Sequence, residues 1–277
     1  MRGELMGFYS FLPPLLLGTA TLSTSSAGLP DVYLLMGQSN MSGRGDLNQL
    51  TMHEREPDSR ITVYANDGHV RPAREPLDDA SDQIDRVSAD PNAAVGPGLF
   101  FARHLLAARR VPIRLVPCAK GGTSIREWRP DPARSTLFGS CMARARESGG
   151  RIAGILWYQG ESDTRSTADV TRWSADFSRI VSAARTSLGQ PNLPVILVRI
   201  ARQPKMPDLA ARYPAWNALR SVQLRLEARC VERVGADNIP LNPDGLHLST
   251  PAQRTLGLRI AATMARLQRQ CRNKSGS

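Results

Sequence analysis

The sequence predicts an α/β fold, with a parallel sheet covered by helices on both faces. Five apolar runs have the length of buried strands, the second being the weakest pattern: Val32–Met36, Ile61–Ala65, Ile113–Pro117, Ile152–Tyr158 and Pro194–Ile200. Segments with helical periodicity alternate with these runs. Strands that are apolar throughout are typical of a parallel sheet buried on both faces. Such sheets bind ligands beyond the carboxyl ends of their strands, so we expect the functional residues there.

Helical periodicity is clearest at Ala168–Leu188, where apolar residues recur every three or four positions until Gly189 ends the pattern. Two further helices are predicted at Pro97–Arg109 and Ala215–Arg229. A last helix begins at Thr250. There the sequence Thr-Pro-Ala-Gln combines a capping hydroxyl, a proline at the first helical position and a glutamine able to complete a capping box.

A single domain is predicted for residues 28–277, because no internal repeat or low-complexity linker divides the chain. The chain has 277 residues, 41% of them hydrophobic, which is enough for one sizeable core. The region Asp46–Asn92 is polar, rich in Asp, Arg and Pro, and poor in periodicity. We interpret it as a long irregular surface insertion. A metal-binding loop around Asp78 and Asp79 is the less favoured alternative.

Residues 1–27 are predicted to be a signal peptide. The stretch Phe8–Ala20 contains an apolar core of about ten residues, and small and hydroxyl residues follow it up to Ala27, as in secretory leaders. A membrane-spanning helix needs roughly 20 apolar residues, so this stretch is too short to cross a bilayer. We expect a secreted, extracellular protein acting in a cell wall, or a cytoplasmic protein if the leader is not cleaved.

The formal net charge of +11 raises the question of a nucleic-acid partner. The arginines are scattered, and neither a zinc-finger spacing, an RNA-binding aromatic signature nor a continuous basic helix is present. Nucleic acid is therefore not expected as a partner. Acidic polysaccharides of the pectin type suit the charge better, because a basic surface attracts them through general electrostatic steering.

The four cysteines agree in number with secretion, but they allow three disulfide pairings that the sequence does not distinguish. They are Cys118, Cys141, Cys230 and Cys271. Cys118 ends an apolar run, where a buried free thiol is as reasonable as a disulfide. The histidines His53, His69, His104 and His247 lack the spacing of metal ligands. Neither a metal nor another cofactor is expected.

A candidate nucleophile, Ser39, follows the first strand in the turn Gly37-Gln38-Ser39-Asn40. A strand-to-helix turn exposes the serine oxygen, and its own N–H can point at a developing oxyanion. Gly37 supplies the conformational freedom that such a tight turn needs. An ordinary surface turn is the alternative. The turn also differs from the G-x-S-x-G elbow, because Met41 occupies the position of the second glycine.

A candidate base, His247, lies three residues after Asp244 near the end of the chain. A catalytic histidine needs a third group that orients its ring and stabilises its charged form. Asp244 lies in a turn with Pro243 and Gly245, so it can reach the imidazole within the same loop. The alternative is a plain turn before the last helix, with His247 as a packed side chain.

Two more loops follow predicted strands and offer hydrogen-bond donors. In the first, Gly121 and Gly122 allow backbone N–H groups to approach an anion closely. In the second, the side-chain amide of Gln159 is able to donate to an oxyanion. Glu161 lies in the same loop, and the sequence gives it no role.

Taken together and in this order, Gly-Gln-Ser-Asn (37–40), Gly-Gly-Thr (121–123), Gln-Gly-Glu (159–161) and Asp-x-x-His (244–247) resemble the motifs of the SGNH-type carbohydrate esterases. The resemblance is greatest to the branch of acetyl xylan esterases and sialate O-acetylesterase-like proteins. The stretches at 95–98, 156–163 and 243–248 are similar to plant members of that branch. The resemblance extends from Asp31 to the last helix.

This resemblance implies a three-layer α/β/α fold of flavodoxin-like type with a five-stranded parallel sheet. It implies that Ser39 is the nucleophile, His247 the general base and acid, and Asp244 the group that orients the histidine. It also implies an oxyanion hole formed by the N–H of Ser39, the N–H of Gly122 and the side chain of Gln159. The activity implied is removal of acetyl groups from an acetylated oligosaccharide or polysaccharide, without a cofactor.

Two other functions remain open at this point. A lipid esterase or thioesterase on the same fold would need an apolar tunnel for a long acyl chain. A non-catalytic carbohydrate-binding protein would have no need for Ser39, Asp244 and His247 together. The sequence therefore favours the carbohydrate deacetylase.

Overall fold

A computed structural model describes Gly3 and residues 28–273. The proposed signal peptide, apart from Gly3, lies outside the described residues. In the described part of the chain, no helix combines the length and the apolar character needed to cross a membrane. The described residues contain one large hydrophobic core and a small satellite cluster formed by Leu50, Val95 and Phe100.

The described chain forms a seven-stranded sheet with the order β3-β2-β4-β1-β5-β6-β7. The strands are β1 (Asp31–Gly37), β2 (Ile61–Tyr64), β3 (Val70–Pro72), β4 (Ile113–Pro117), β5 (Arg151–Tyr158), β6 (Val195–Arg199) and β7 (Val231–Gly235). All neighbouring pairs are parallel except β2 and β3. The central strand β1 places Leu35 opposite Pro117 of β4 and Leu156 of β5. The carboxyl ends of β4, β1 and β5 therefore meet at one edge.

The predicted α/β fold is confirmed, but the expected count of five strands is wrong. The five apolar runs form β1, β2, β4, β5 and β6, and one further strand lies at each edge of the sheet. At one edge, β3 is three exposed residues, Val-Arg-Pro. At the other edge, β7 reads Val-Glu-Arg-Val-Gly and is mostly half-buried. Edge strands lack a neighbour on one side, so their sequences need not be continuously apolar.

Eight α-helices occur within residues 28–273. They are α1 (Ser39–Ser42), α2 (Met52–Arg55), α3 (Gly98–Arg109), α4 (Leu137–Glu147), α5 (Thr167–Ser187), α6 (Pro207–Arg212), α7 (Trp216–Arg225) and α8 (Thr250–Asn273). The four predicted helices correspond to α3, α5, α7 and α8. The helix predicted to reach Arg229 ends at Arg225, because Leu226 has an extended backbone. The sequence did not predict α4, whose buried face includes a charged residue, Arg144.

Helices cover both faces of the sheet. On one face α3 and α8 pack against each other and on the strands, and Tyr33 of β1 meets Phe101 of α3 edge to face. On the other face α4 contacts β1 and β4, while Trp157 of β5 meets Phe177 of α5. These contacts make three layers, as the family resemblance implied.

The region Asp46–Asn92 is only in part the irregular surface insertion that its composition suggested. It contains α2, β2 and β3, and several of its acidic side chains are buried. Asp78 accepts a hydrogen bond from the Asn66 amide at 2.6 Å, and Asp85 accepts one from Ser140 at 2.7 Å. Buried polar groups persist where such partners satisfy them. The polar composition therefore reflects internal pairing, which a pattern of hydrophobicity does not reveal.

Two disulfides join all four cysteines. Cys118–Cys141 ties the end of β4 to α4, and Cys230–Cys271 ties the start of β7 to the end of α8. The Cα–Cα distances are 5.4 and 5.7 Å, within the usual range for disulfides. The alternative of a free thiol at Cys118 is therefore wrong in this structure.

Candidate active site

The sequence-predicted site residues converge at the edge where the strands of the sheet have their carboxyl ends. Ser39 is the first residue of α1, directly after β1. Gly37, which precedes it, has φ of 128°, and a Cβ at this position would overlap the carbonyl of Tyr158 in β5. Only glycine allows the chain to turn here against the neighbouring strand. The tight turn places Ser39 above the centre of the sheet.

A hydrogen-bonded chain connects Ser39, His247 and Asp244. The Ser39 hydroxyl lies 3.0 Å from Nε2 of His247, and Nδ1 of His247 lies 2.7 Å from Oδ2 of Asp244. The order and the distances match those of a serine nucleophile, its base and the group that orients the base. Ser39 and His247 are 208 positions apart in the sequence.

The loop that carries Asp244 and His247 is held by its own backbone. Gly245 has φ of 67° and donates its N–H to the Asn242 carbonyl, and Asn242 in turn donates its N–H to the His247 carbonyl. Burial pushes the pKa of Asp244 upward, but hydrogen bonds from the backbone of His247 and Leu246 outweigh burial, so the pKa lies below its ordinary value. Asp244 is therefore a carboxylate at neutral pH and able to stabilise a charged imidazole.

Two backbone N–H groups are available to an oxyanion near Ser39. Within the described residues, neither the Ser39 N–H nor the Gly122 N–H has a hydrogen-bond acceptor. The Gly121 N–H, in contrast, donates to Asp90 at 2.8 Å. The Gly122 carbonyl accepts from the Ser162 hydroxyl at 2.8 Å, which fixes the loop in place. Of the two glycines, Gly122 is therefore the one whose N–H remains available to a ligand.

Gln159 does not occupy the place expected for a third oxyanion donor. Its side chain is fully buried, and its amide nitrogen donates to the Thr123 carbonyl and to the Asp163 carboxylate. Its amide oxygen accepts from the Trp173 indole at 3.0 Å. Because both amide hydrogens have acceptors inside the protein, none remains for a substrate. Gln159 instead connects the loops after β4 and β5 to α5.

Asn40 and Glu161 form a buried connection that the sequence did not predict. The Asn40 amide donates to Glu161 at 2.7 Å, and its oxygen accepts from the Leu248 N–H at 2.9 Å. Leu248 directly follows His247, so Asn40 joins the turn that carries Ser39 to the loop that carries His247. Burial raises the pKa of Glu161 to about 7. Both residues belong to the sequence motifs, but only the structure shows that they are hydrogen-bonded to each other.

Asp90, in the region Asp46–Asn92, is hydrogen-bonded to two parts of the site. Its carboxylate accepts from the Ser42 hydroxyl at 2.7 Å, from Arg44 at 2.8 Å and from the Gly121 N–H at 2.8 Å. It therefore fixes α1 and the glycine loop relative to each other. No local pattern around Asp90 distinguishes it from the other acids of that region.

Around these residues lies an open pocket of about 590 Å³, which we call the catalytic pocket. Ser39, Asp244, His247 and Gly122 line it together with side chains that are mostly polar or charged, among them Gln38, Arg44, Asp90, Lys120, Glu161, Ser162 and Arg165. Tyr213 contributes an aromatic wall, and the Arg165 guanidinium lies 5.5 Å from its ring centre. In the described part of the chain, no group of three His, Cys, Asp or Glu side chains is placed to hold a metal ion.

The fold is that of the SGNH-like esterases. The solved structure of NanS superimposes with a TM-score of 0.66 at 18% identity, over 88% of this chain and 99% of that chain. A carbohydrate acetylesterase from Xanthomonas citri superimposes with a TM-score of 0.61 at 19% identity, over 87% of this chain and 56% of that chain. At these identities the likeness concerns the fold alone.

Residues 30–266 match the sequence profile of the SASA family, described as carbohydrate esterases, sialic acid-specific acetylesterases. A probable carbohydrate esterase from Arabidopsis thaliana is 35% identical over 247 residues, 83% of this chain and 88% of that protein. Its X-ray structure superimposes with a TM-score of 0.72, over 86% of this chain and 98% of that chain. The chain belongs to the SASA family of carbohydrate esterases, and it is a carboxylic ester hydrolase.

Proposed function

We propose that the protein removes acetyl groups from O-acetylated carbohydrate through a covalent acyl-enzyme on Ser39. The observation that carries this proposal is the chain of hydrogen bonds from Ser39 through His247 to Asp244, at 3.0 and 2.7 Å. A serine hydroxyl is a poor nucleophile unless a base takes its proton during attack. The family membership supports the carbohydrate ester as substrate.

In the proposed mechanism, the Ser39 oxygen attacks the acetyl carbonyl while Nε2 of His247 takes the hydroxyl proton. Asp244 holds the other ring nitrogen and stabilises the imidazolium that forms. The tetrahedral intermediate collapses, the C–O bond to the sugar breaks, and His247 gives its proton to the leaving sugar hydroxyl. Water then attacks the acetyl-enzyme by the same steps in the same site, which releases acetate and restores Ser39.

The negative charge of the intermediate is placed, in this proposal, between the N–H groups of Ser39 and Gly122. Both lack acceptors within the described chain, and fixed N–H donors at a developing oxyanion commonly contribute a hundredfold or more to the rate, to order of magnitude. Most residues that line the catalytic pocket have polar or charged side chains, which supports a sugar ester over a lipid or a long-chain thioester that would need an apolar acyl site.

The test compares wild type with Ser39→Ala, using p-nitrophenyl acetate and acetylated xylan as substrates. We expect acetate release by wild type and a loss of about a thousandfold or more in the variant, with an unchanged melting temperature. Ser178→Ala is the matched control, because Ser178 is exposed on α5 and bonds only within its own helix. Retained activity in purified, folded Ser39→Ala protein would refute the assignment.

The same proposal places the mature protein outside the cell, as one domain from residue 28 onward. Two features support secretion: the leader-like sequence of residues 1–27 and the two disulfides, which persist in oxidising compartments. N-terminal sequencing of protein recovered from the culture medium of a eukaryotic host tests this. A mature chain that begins near residue 28 is the expected result, and retention of the full chain inside cells would contradict it.

A further inference from the structure

A second concave surface lies beside the catalytic pocket, and we call it the basic groove. Its volume is about 900 Å³, against about 590 Å³ for the catalytic pocket. The loop after β4 and helix α5 form much of its walls. Its cationic lining consists of Lys120, Arg126, Arg129, Arg172 and Arg179. None of the residues assigned to the reaction lies in it.

The basic groove and the catalytic pocket adjoin at one loop. Lys120 lines both surfaces. The next residues of the loop, Gly121 and Gly122, face the catalytic pocket, whereas Ser124–Arg126 line the groove. A capping box between Ser124 and Glu127 holds the loop at this point. A ligand longer than one sugar can therefore extend from Ser39 into the groove.

The cations of the groove are not all neutralised by the acids around them. Asp169 pairs with Arg172 at 2.7 Å, and Asp176 pairs with Arg179 at 2.5 Å. The third acid of the lining, Glu127, accepts hydrogen bonds from Ser124.

Three cations remain after these pairings. Lys120 donates to the carbonyl of Val87 and forms no ion pair with a described residue. Arg126 reaches Asp169 only at 3.8 Å, although Arg172 already holds this carboxylate. Arg129 has no ion pair with any described residue. Five cations against three acids leave the lining of the groove with a formal charge of +2, which favours an anionic ligand.

Apolar side chains lie among these cations. Pro130 is exposed in the same groove, and the largely buried Ile125 and Leu137 contribute small parts of its lining. A sugar ring offers apolar C–H faces for such contacts, and a carboxylate on the ring can pair with a guanidinium at the same time. A neutral glycan would make the apolar contacts and leave the cations without partners.

We propose that the basic groove binds the carboxylate-bearing sugars flanking the acetylated residue of an acidic polysaccharide whose ester lies at Ser39. This inference rests on the proposed function and adds a class of polymer and a second binding site to it. The groove acts on affinity for the polymer, because none of its arginines touches the reacting ester.

The kinetic test uses the double variant Arg126→Gln/Arg129→Gln and a matched pair of polymers. One polymer is acetylated polygalacturonate with free carboxylates, and the other is the same polymer after methyl esterification. We expect the variant to raise KM on the free-carboxylate polymer about threefold to tenfold, with unchanged kinetics on p-nitrophenyl acetate and on the methyl-esterified polymer. Arg269→Gln is the charge control for a single arginine, since this exposed residue of α8 lines neither surface.

An unchanged KM on the free-carboxylate polymer, or an equal rise on both polymers, would overturn the proposal. A binding measurement separates it from the proposed function. Calorimetry with unacetylated polygalacturonate at low salt should give a Kd for Ser39→Ala that rises when Arg126 and Arg129 are also replaced by Gln. The Kd should also rise steeply with salt. If wild type hydrolyses no ester, the proposed function fails, and the calorimetry alone tests the groove. Equal Kd values for Ser39→Ala with and without the two arginine substitutions would then refute the groove proposal.

Discussion

Asn40 links the turn that carries Ser39 to the loop that carries His247. Its amide group reaches Glu161 on one side and the backbone next to His247 on the other. It is buried, so a truncation leaves a buried donor and a buried acceptor without partners. Small displacements of catalytic groups reduce rates strongly because reaction requires close alignment.

We therefore expect Asn40→Ala to lower kcat for p-nitrophenyl acetate by about tenfold to a hundredfold, with KM changed less. Glu161→Gln is the conservative control, because its side-chain oxygen can still accept from the Asn40 amide. Glu161→Ala should lower kcat about as much as Asn40→Ala does. The double variant Asn40→Ala/Glu161→Ala should lower kcat no further than either single variant. Fully additive losses in steady-state kinetics would show that Glu161 does not act through Asn40.

Gln159 provides a second test at the scale of single residues. Its three hydrogen bonds lie inside the protein, so we expect Gln159→Ala to lower the melting temperature and to leave kcat of the folded enzyme within about tenfold of wild type. Loss of an oxyanion donor would instead reduce kcat about a hundredfold to a thousandfold at unchanged stability. Differential scanning fluorimetry and steady-state kinetics on the same preparation distinguish these results.

At this scale the sequence predicts residues whose chemistry is local. The serine turn and the Asp-x-x-His loop carry their geometry within a few positions, and the structure brings them together as expected. Asp90 and Asn40 act across 31 and 208 positions, and their local sequences resemble ordinary loops. The inward contacts of Gln159 were not predicted, because a motif shows which residue follows a strand and not where its side chain points.

At the scale of elements, helices α3 and α8 meet at a glycine. A Cβ on Gly257 of α8 would lie 2.5 Å from Cβ of Phe100 and 2.8 Å from the backbone nitrogen of Phe101. Alanine is favoured over glycine in a helix interior by about 1 kcal/mol, but overlap with a neighbouring backbone commonly costs about 1 to 3 kcal/mol. The overlap should prevail, because α3 cannot withdraw without disturbing its packing on β2 and β4.

We expect Gly257→Ala to reduce the free energy of unfolding by up to about 2 kcal/mol while the folded enzyme keeps its kcat. Leu258→Ala, at the next and exposed position of α8, is the control and should change stability by less. Urea unfolding followed by intrinsic fluorescence measures both. A Gly257→Ala protein as stable as wild type would mean that the two helices can separate without cost.

The strands and helices predicted from the sequence are those whose buried positions form a regular hydrophobic pattern. Runs such as Ile152–Tyr158 are apolar throughout, and the helix around Trp173 is apolar on one face only. Helix α4 lacks such a pattern because its buried residue Arg144 is charged and donates to the carbonyls of Pro117 and Tyr64. A buried cation satisfied by backbone carbonyls is indistinguishable, in sequence, from a solvated one.

At the scale of the whole molecule, the buried carboxyl groups control how stability depends on pH. Burial raises the pKa of Glu75 to about 8, of Asp78 and Glu161 to about 7, and of Asp163 to about 6. The ordinary values are 4.5 for glutamate and 3.8 for aspartate. The folded state therefore holds more protons than the unfolded state between about pH 4 and pH 8, and the sequence alone gave no indication of these shifts.

A carboxyl whose pKa is raised on folding contributes stability at low pH that is lost as pH rises through the folded-state pKa. We therefore expect wild type to unfold at a lower urea concentration at pH 8 than at pH 5. Glu75→Gln removes one ionisation and should reduce this difference, by stabilising the protein at pH 8 and hardly at pH 5. The net charge of +11 falls as pH rises, so charge repulsion in the folded state decreases and opposes this loss of stability. The titration is therefore made in about 0.5 M salt, which screens surface charges. Equal pH dependence in wild type and Glu75→Gln would show that Glu75 does not change its protonation on folding.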